Sequence, residues 1–105
     1  MILDILFLIS EPVMWDLIKI VIPKVRAEWE YLAYSMQYKI ATVKAIKKDC
    51  SDSEECCKTL FEDWLSTDHG AAPKTWCTLL NKIKQVDNLV TAVDDIRKEL
   101  SRKFT

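Results

Sequence analysis

The stretch "CSDSEECCKTLFEDWL", Cys50 to Leu65, decides how the chain folds. Ser51 followed three residues later by Glu54 has the form of a capping box, in which each side chain satisfies an amide at a helix start. Beyond it, Cys57, Leu60, Phe61, Trp64 and Leu65 recur at i, i+3, i+4, i+7 and i+8, the apolar stripe of an amphipathic helix. Three of the chain's four cysteines lie here, so a metal site and a disulfide knot must be weighed against that helix. On the helix Cys57 falls on the buried stripe and Cys56 on its flank. Adjacent helix positions diverge by about 100°, so these two do not converge on one ion. Zinc sites call for C-x2-C pairs or spaced histidines. The spacing here is C-x5-C-C, with Cys77 further on and His69 the sole histidine. The expectation is reduced thiols in the core and at the surface. Disulfides stay open as the alternative, because four is an even number.

The same periodicity extends in both directions. Residues 12–22 carry Met14, Leu17, Ile18 and Val21 on one face, with Ser10 and Pro12 at the start and Pro23 bending or ending the helix. Residues 26–36 place Trp29, Leu32, Ala33 and Met36 in a second stripe. Residues 39–48 turn Ile40, Val43 and Ile46 inward and Lys39, Lys44, Lys47 and Lys48 outward. The cysteine helix comes fourth, with Gly70 placed to follow its end. A fifth starts near Pro73 and Thr75 and stripes through Trp76, Leu79, Leu80 and Ile83. A sixth, capped by Asp87, runs through Leu89, Val93, Ile96 and Leu100. One glycine and three prolines are too few turn formers for an all-β domain. The predicted fold is all-α: an antiparallel bundle of six short helices over residues 12–105. Residues 1–11, "MILDILFLISE", form an apolar arm or extension. Asp4 interrupts its run and no lysine or arginine precedes it, unlike a signal peptide. A membrane span would bury Asp4, Glu11 and Asp16. A cytoplasmic setting follows as the default.

Chemistry is sparse. Catalysis needs a nucleophile with a base, or paired carboxylates in a cleft. His69 sits in the polar loop "STDHG", and the pairs Glu62-Asp63 and Asp94-Asp95 occupy consecutive helix positions that diverge. No glycine-rich loop cradles a phosphate. The expectation is no enzyme, no cofactor, no metal and no small-molecule substrate. A net charge of −1 gives no general attraction to nucleic acid or to a membrane surface. Charge layout says more. Residues 39–48 carry four lysines and no acid, whereas 49–63 carry Asp49, Asp52, Glu54, Glu55, Glu62 and Asp63 against one base, Lys58. Residues 73–86 turn basic again with Lys74, Lys82 and Lys84. Blocks of opposite sign on one near-neutral domain suit head-to-tail docking. The expected basic side is Lys44, Lys47, Lys48, Lys82 and Lys84. The expected acidic side is Asp52, Glu54, Glu55, Glu62 and Asp63.

Taken together, these segments resemble a death domain, of the six-helix death-fold superfamily. "EWEYLAYSM" (28–36) is similar to the family's second helix, "CCKTLFEDWL" (56–65) to the fourth, "KTWCTLLNKI" (74–83) to the start of the fifth and "DNLVTAVDDI" (87–96) to the last. The order and spacing carry the resemblance, which spans nearly the whole chain. It implies Greek-key connectivity and a non-enzymatic adaptor that assembles intracellular signalling complexes by homotypic contact with other death domains or with itself. Two departures stand out. The loop "SMQYKI" lacks the glycine common in relatives, and the apolar arm before the first helix is unusual. The competing expectation, from a different class, is a small secreted helical protein stapled by disulfides. A nucleic-acid-binding domain using Lys39 to Lys48 is disfavoured by the flanking acidic blocks.

Overall fold

Helix runs further at the N-terminus than the proline pattern suggests. In the computed structural model, which describes residues 8–67 and 73–104, all regular structure is helical. The first run, α1, is unbroken from 14 to 35. It comprises an α-helix at Met14–Asp16, a π-helical turn at Leu17–Val21, an α-helix at Ile22–Val25, a 3-10 turn at Arg26–Glu28 and an α-helix at Trp29–Ser35. Then come α2 (Ile40–Asp49), α3 (Ser53–Ser66) and α4 (Trp76–Lys84). A 3-10 turn at Asp87–Leu89 leads into α5 (Val90–Phe104). The described residues thus hold five helical runs, and the expected first and second helices are joined.

Pro23 explains the joint. Proline has no amide hydrogen, and its ring collides with the carbonyl four residues back in a regular helix. Just before it, the Ile22 amide bonds the Leu17 carbonyl five residues back, which opens the ladder by one residue. Pro23 then occupies the first turn of Ile22–Val25, where a missing amide is tolerated. Helical dihedrals are lost later, at Val25 (φ −121°, ψ −9°) and Glu28 (φ −113°, ψ 24°), on either side of the 3-10 turn.

The other termini follow local chemistry. α3 is capped by Asp52, not Ser51: its carboxylate accepts the Glu55 amide at 2.9 Å. Thr75 caps α4 by accepting the Thr78 amide at 3.2 Å. Asp87 begins the 3-10 turn rather than capping a helix, and Val86 holds the N-cap position without a side-chain bond. After α1, Gln37 takes the left-handed position at φ 69°. The Tyr38 amide bonds the Ala33 carbonyl and the Gln37 amide the Tyr34 carbonyl, both at 3.0 Å, which is a Schellman closure. Glutamine holds the left-handed position that glycine usually takes.

One buried cluster joins every helix. Trp29, Leu32, Leu60, Trp64, Trp76, Leu80 and Val93 all belong to it, as the stripes predict. Ile40 does not: it is the first residue of α2 and lies 62% exposed. Met14, Ile18 and Leu65 pack only against the cluster's edge. Two polar links hold the periphery. Buried Asp16 forms an ion pair with Lys103, tying α1 to α5. The buried Tyr38 phenol donates to Asp63 Oδ2 at 2.6 Å, tying the α1–α2 turn to α3. Leu8 packs on the core, while residues 1–7 of the expected arm, and His69 and Gly70, lie outside the described residues.

The cysteines depart from expectation. Cys50 and Cys56 form a disulfide, with Cα atoms 5.3 Å apart, while Cys57 is a buried thiol and Cys77 an exposed one. Cys50 leaves α2 in an extended conformation (φ −101°, ψ 155°), and the turn of residues 50–52 returns it to the first turns of α3, where Cys56 lies. Helical periodicity cannot register a pair that closes across a turn.

Candidate protein-interaction surface

The lysine block forms as a surface. Val43 and Ile46 are the buried residues of α2, and their burial leaves Lys44, Lys47 and Lys48 exposed at i, i+3 and i+4, one stripe of the opposite face. Lys47 is already engaged, with Nζ 3.1 Å from Glu30 Oε1 of α1. The other expected cations lie elsewhere. Lys82 is half-buried and Lys84 exposed on α4, which packs against α1 and α5, whereas α2 packs against α1 and α3. Lys82 and Lys84 thus form a group of their own.

The acidic set divides by role. Asp52 is spent as the α3 cap. Glu54 and Glu55 are exposed in the first helical turn, where carboxylates are favoured by the amide ends of the helix. Glu54 also faces Arg26 Nη1 at 3.5 Å, an exposed pair of small energetic weight. Glu62 is exposed. Asp63 is withdrawn from any docking role: it accepts the Tyr38 hydroxyl, and the Thr67 hydroxyl approaches its side chain at 3.4 Å. Burial, together with this carboxylate, pushes the Tyr38 phenol well above its usual range. Glu54 and Glu55 nonetheless lie one short turn from Lys47 and Lys48, and the Cys50–Cys56 disulfide spans that turn. The two blocks of opposite sign are therefore adjacent on one side of the fold.

Sequence patterning passed over the exposed aromatics. Trp15 is 61% exposed, with Lys19 Nζ 4.8 Å from its ring centroid. Tyr31 and Tyr34 also face solvent, beside grooves that the α4–α5 turn and the start of α3 complete. Both tyrosines flank the buried stripe of Trp29, Leu32 and Ala33, which was the only signal available. Burial pushes the Cys57 thiol up to about 12, which removes it as a nucleophile near neutrality. Among the described residues no three histidine, cysteine or carboxylate side chains gather as a metal site, and no helix is long and apolar enough to cross a membrane. Compared with protein-family models, curated proteins and solved structures, the chain matches none.

Proposed function

We propose that this chain is a protein–protein interaction module of the death-fold type its sequence resembles: a non-enzymatic cytoplasmic adaptor that assembles signalling complexes by docking on copies of itself or on related domains. The observation that carries the reading is the stripe of Lys44, Lys47 and Lys48 on α2, set one turn from Glu54 and Glu55 on α3. Opposed rim charges of this kind govern encounter rate and partner choice more than affinity, and salt screens them over about 8–10 Å. One exposed pair contributes at most about 1 kcal/mol, so reversing the whole block is the informative change. Sedimentation velocity on the Lys44→Glu/Lys47→Glu/Lys48→Glu variant, first verified as folded, tests it across salt concentrations. The parent self-associates or pairs with a death domain at low salt and the variant does not. Association that ignores both salt and the substitutions removes this surface from the mechanism.

The disulfide supports a second reading, a small secreted helical protein, because such bonds persist in oxidising compartments. Counting free thiols in protein taken from its native source, denatured under alkylation without reductant, separates the two. Four thiols support the adaptor, and two support the secreted protein.

A further inference from the structure

A second surface, carrying none of the α2 lysines, has its own chemistry. Tyr31 and Tyr34 stand three residues apart on one face of α1, 64% and 40% exposed. They form a ridge between two grooves. One, of about 530 Å³, runs between the tyrosines and the α4–α5 turn at Gln85, Val86, Asp87 and Asn88. The other, of about 410 Å³, lies between the same tyrosines and the start of α3, and includes Glu28, Glu30 and Ser53. The first groove is held open from both ends. The Ser35 hydroxyl donates to the Lys82 carbonyl at 2.6 Å, and the Asn88 amide donates to Glu28 Oε1 at 3.4 Å, so α1 is tied to the last turn of α4 and to the α4–α5 turn. Such a groove needs little reordering to accept a ligand.

Its charge is one-sided. Glu28, Glu30 and Asp87 contribute carboxylates, and among the described residues neither groove is lined by a lysine or arginine. Lys47 answers Glu30 and the Asn88 amide takes one oxygen of Glu28, which leaves Asp87 and the second Glu28 oxygen to the first groove. Aromatic faces beside carboxylates match one side chain above others. A guanidinium stacks flat on a tyrosine while its fork meets a carboxylate; a lysine ammonium carries the same charge but neither the plane nor the fork. We propose that this surface binds an extended, arginine-bearing segment of another protein, laid across the Tyr31–Tyr34 ridge with an arginine in the groove beside Glu28 and Asp87. A second copy is a poor occupant, because all three arginines of the chain, Arg26, Arg97 and Arg102, lie on helical residues. This surface meets the lysine block on α2 only at the Lys47–Glu30 ion pair, and the groove lined by Glu28 and Asp87 includes no residue of α2.

The test is an amide NMR titration of the full chain with three blocked pentapeptides: two arginines spaced by glycines, the same with lysines, and the same with neutral citrullines. The arginine peptide is expected to shift the amides of 28, 31, 34 and 85–88, to bind about threefold or more tighter than the lysine peptide, and to lose that binding as citrulline. Tyr31→Ala and Asp87→Asn should each weaken it by about threefold to tenfold, and Tyr31→Phe, which keeps the ring, should not. Tyr31 is mostly exposed, so these variants keep the core intact. Equal binding of arginine and lysine peptides with shifts centred on Glu55 and Glu62, or no shifts at all, overturns the proposal. So does a shift of the same amides on concentrating the protein alone, which assigns the groove to a second copy.

Discussion

Reduction of the Cys50–Cys56 disulfide tests the structure most directly, because a fold held by packing alone would be indifferent to it. The bond closes a loop with a sequence separation of six. In the chain-entropy description, restricting the unfolded state over so short a loop stabilises by about 2 kcal/mol, near the low end of the range. For a chain of 105 residues that corresponds to a melting temperature lower by about 8–10 °C after reduction. Local packing adds a smaller contribution, since Cys56 is buried and its thiol stays in place on reduction. The assay is thermal unfolding by circular dichroism with and without dithiothreitol, repeated on the Cys50→Ser/Cys56→Ala variant. That variant should melt near the reduced parent and no longer respond to reductant. A parent whose melting point moves by less than about 2 °C, well below the shift expected from loop closure, refutes the cross-link and restores the all-thiol reading. A variant that still responds to dithiothreitol places the bond on other cysteines.

Gln37→Gly should raise stability by about 0.5–1 kcal/mol, the left-handed cost removed less the added unfolded-state freedom, read as a higher urea midpoint at unchanged slope. A loss of stability there would mean that φ 69° is not the conformation in solution. Trp64→Ala should cost about 3–5 kcal/mol by opening the core, and a cooperative transition near the parent's midpoint would contradict the core assignment. High pH should unfold the chain: Cys57 and Tyr38 are both raised in the folded state, so each stabilises fully below its unfolded value and loses that stability as pH rises. The decline should begin near pH 9, where unfolded Cys57 starts to ionise, at about 1.4 kcal/mol per pH unit, and steepen to roughly twice that above pH 10, where unfolded Tyr38 joins it, until the thiol's share ends near 12. Cys57→Ala should move its onset up toward pH 10, the ordinary tyrosine value; an unmoved onset would exclude the thiol.

What the sequence displays is burial along helices, and there it is legible nearly residue by residue. Trp29, Leu32 and Ala33, then Leu60, Phe61 and Trp64, then Trp76, Leu79, Leu80 and Ile83 are all buried as their spacing predicts. The failures share a cause: each depends on a turn or a terminus. Ile40 continues the inward spacing of α2 but opens the helix, where no neighbour covers it. Asp63 looks like a surface acid on α3, yet the Schellman turn at Gln37 carries the Tyr38 phenol to it. The lysine face was legible because exposure is the complement of burial on one helix. The tyrosine grooves were not, because they exist only once α1 is laid against residues 85–88, and no spacing within α1 encodes that neighbour.

The joined α1 bears on the resemblance itself. A proline after a helical stripe ordinarily marks a boundary, and the reading of two helices rested on Pro23. The structure moves the discontinuity: hydrogen bonding continues through Pro23 by way of the π-helical turn, and helical dihedrals fail instead at Val25 and Glu28. The second stripe still begins where its sequence puts it, at Trp29, because the 3-10 turn resets the phase of the helix so that Trp29, Leu32 and Ala33 face the core. The described residues therefore hold five helical runs and not the expected six, because the first two stripes share α1. The reset has a surface consequence as well. With Trp29 turned inward, Glu28 and Tyr31 face the α4–α5 turn together, which sets a carboxylate beside an aromatic ring at the lip of the proposed arginine groove.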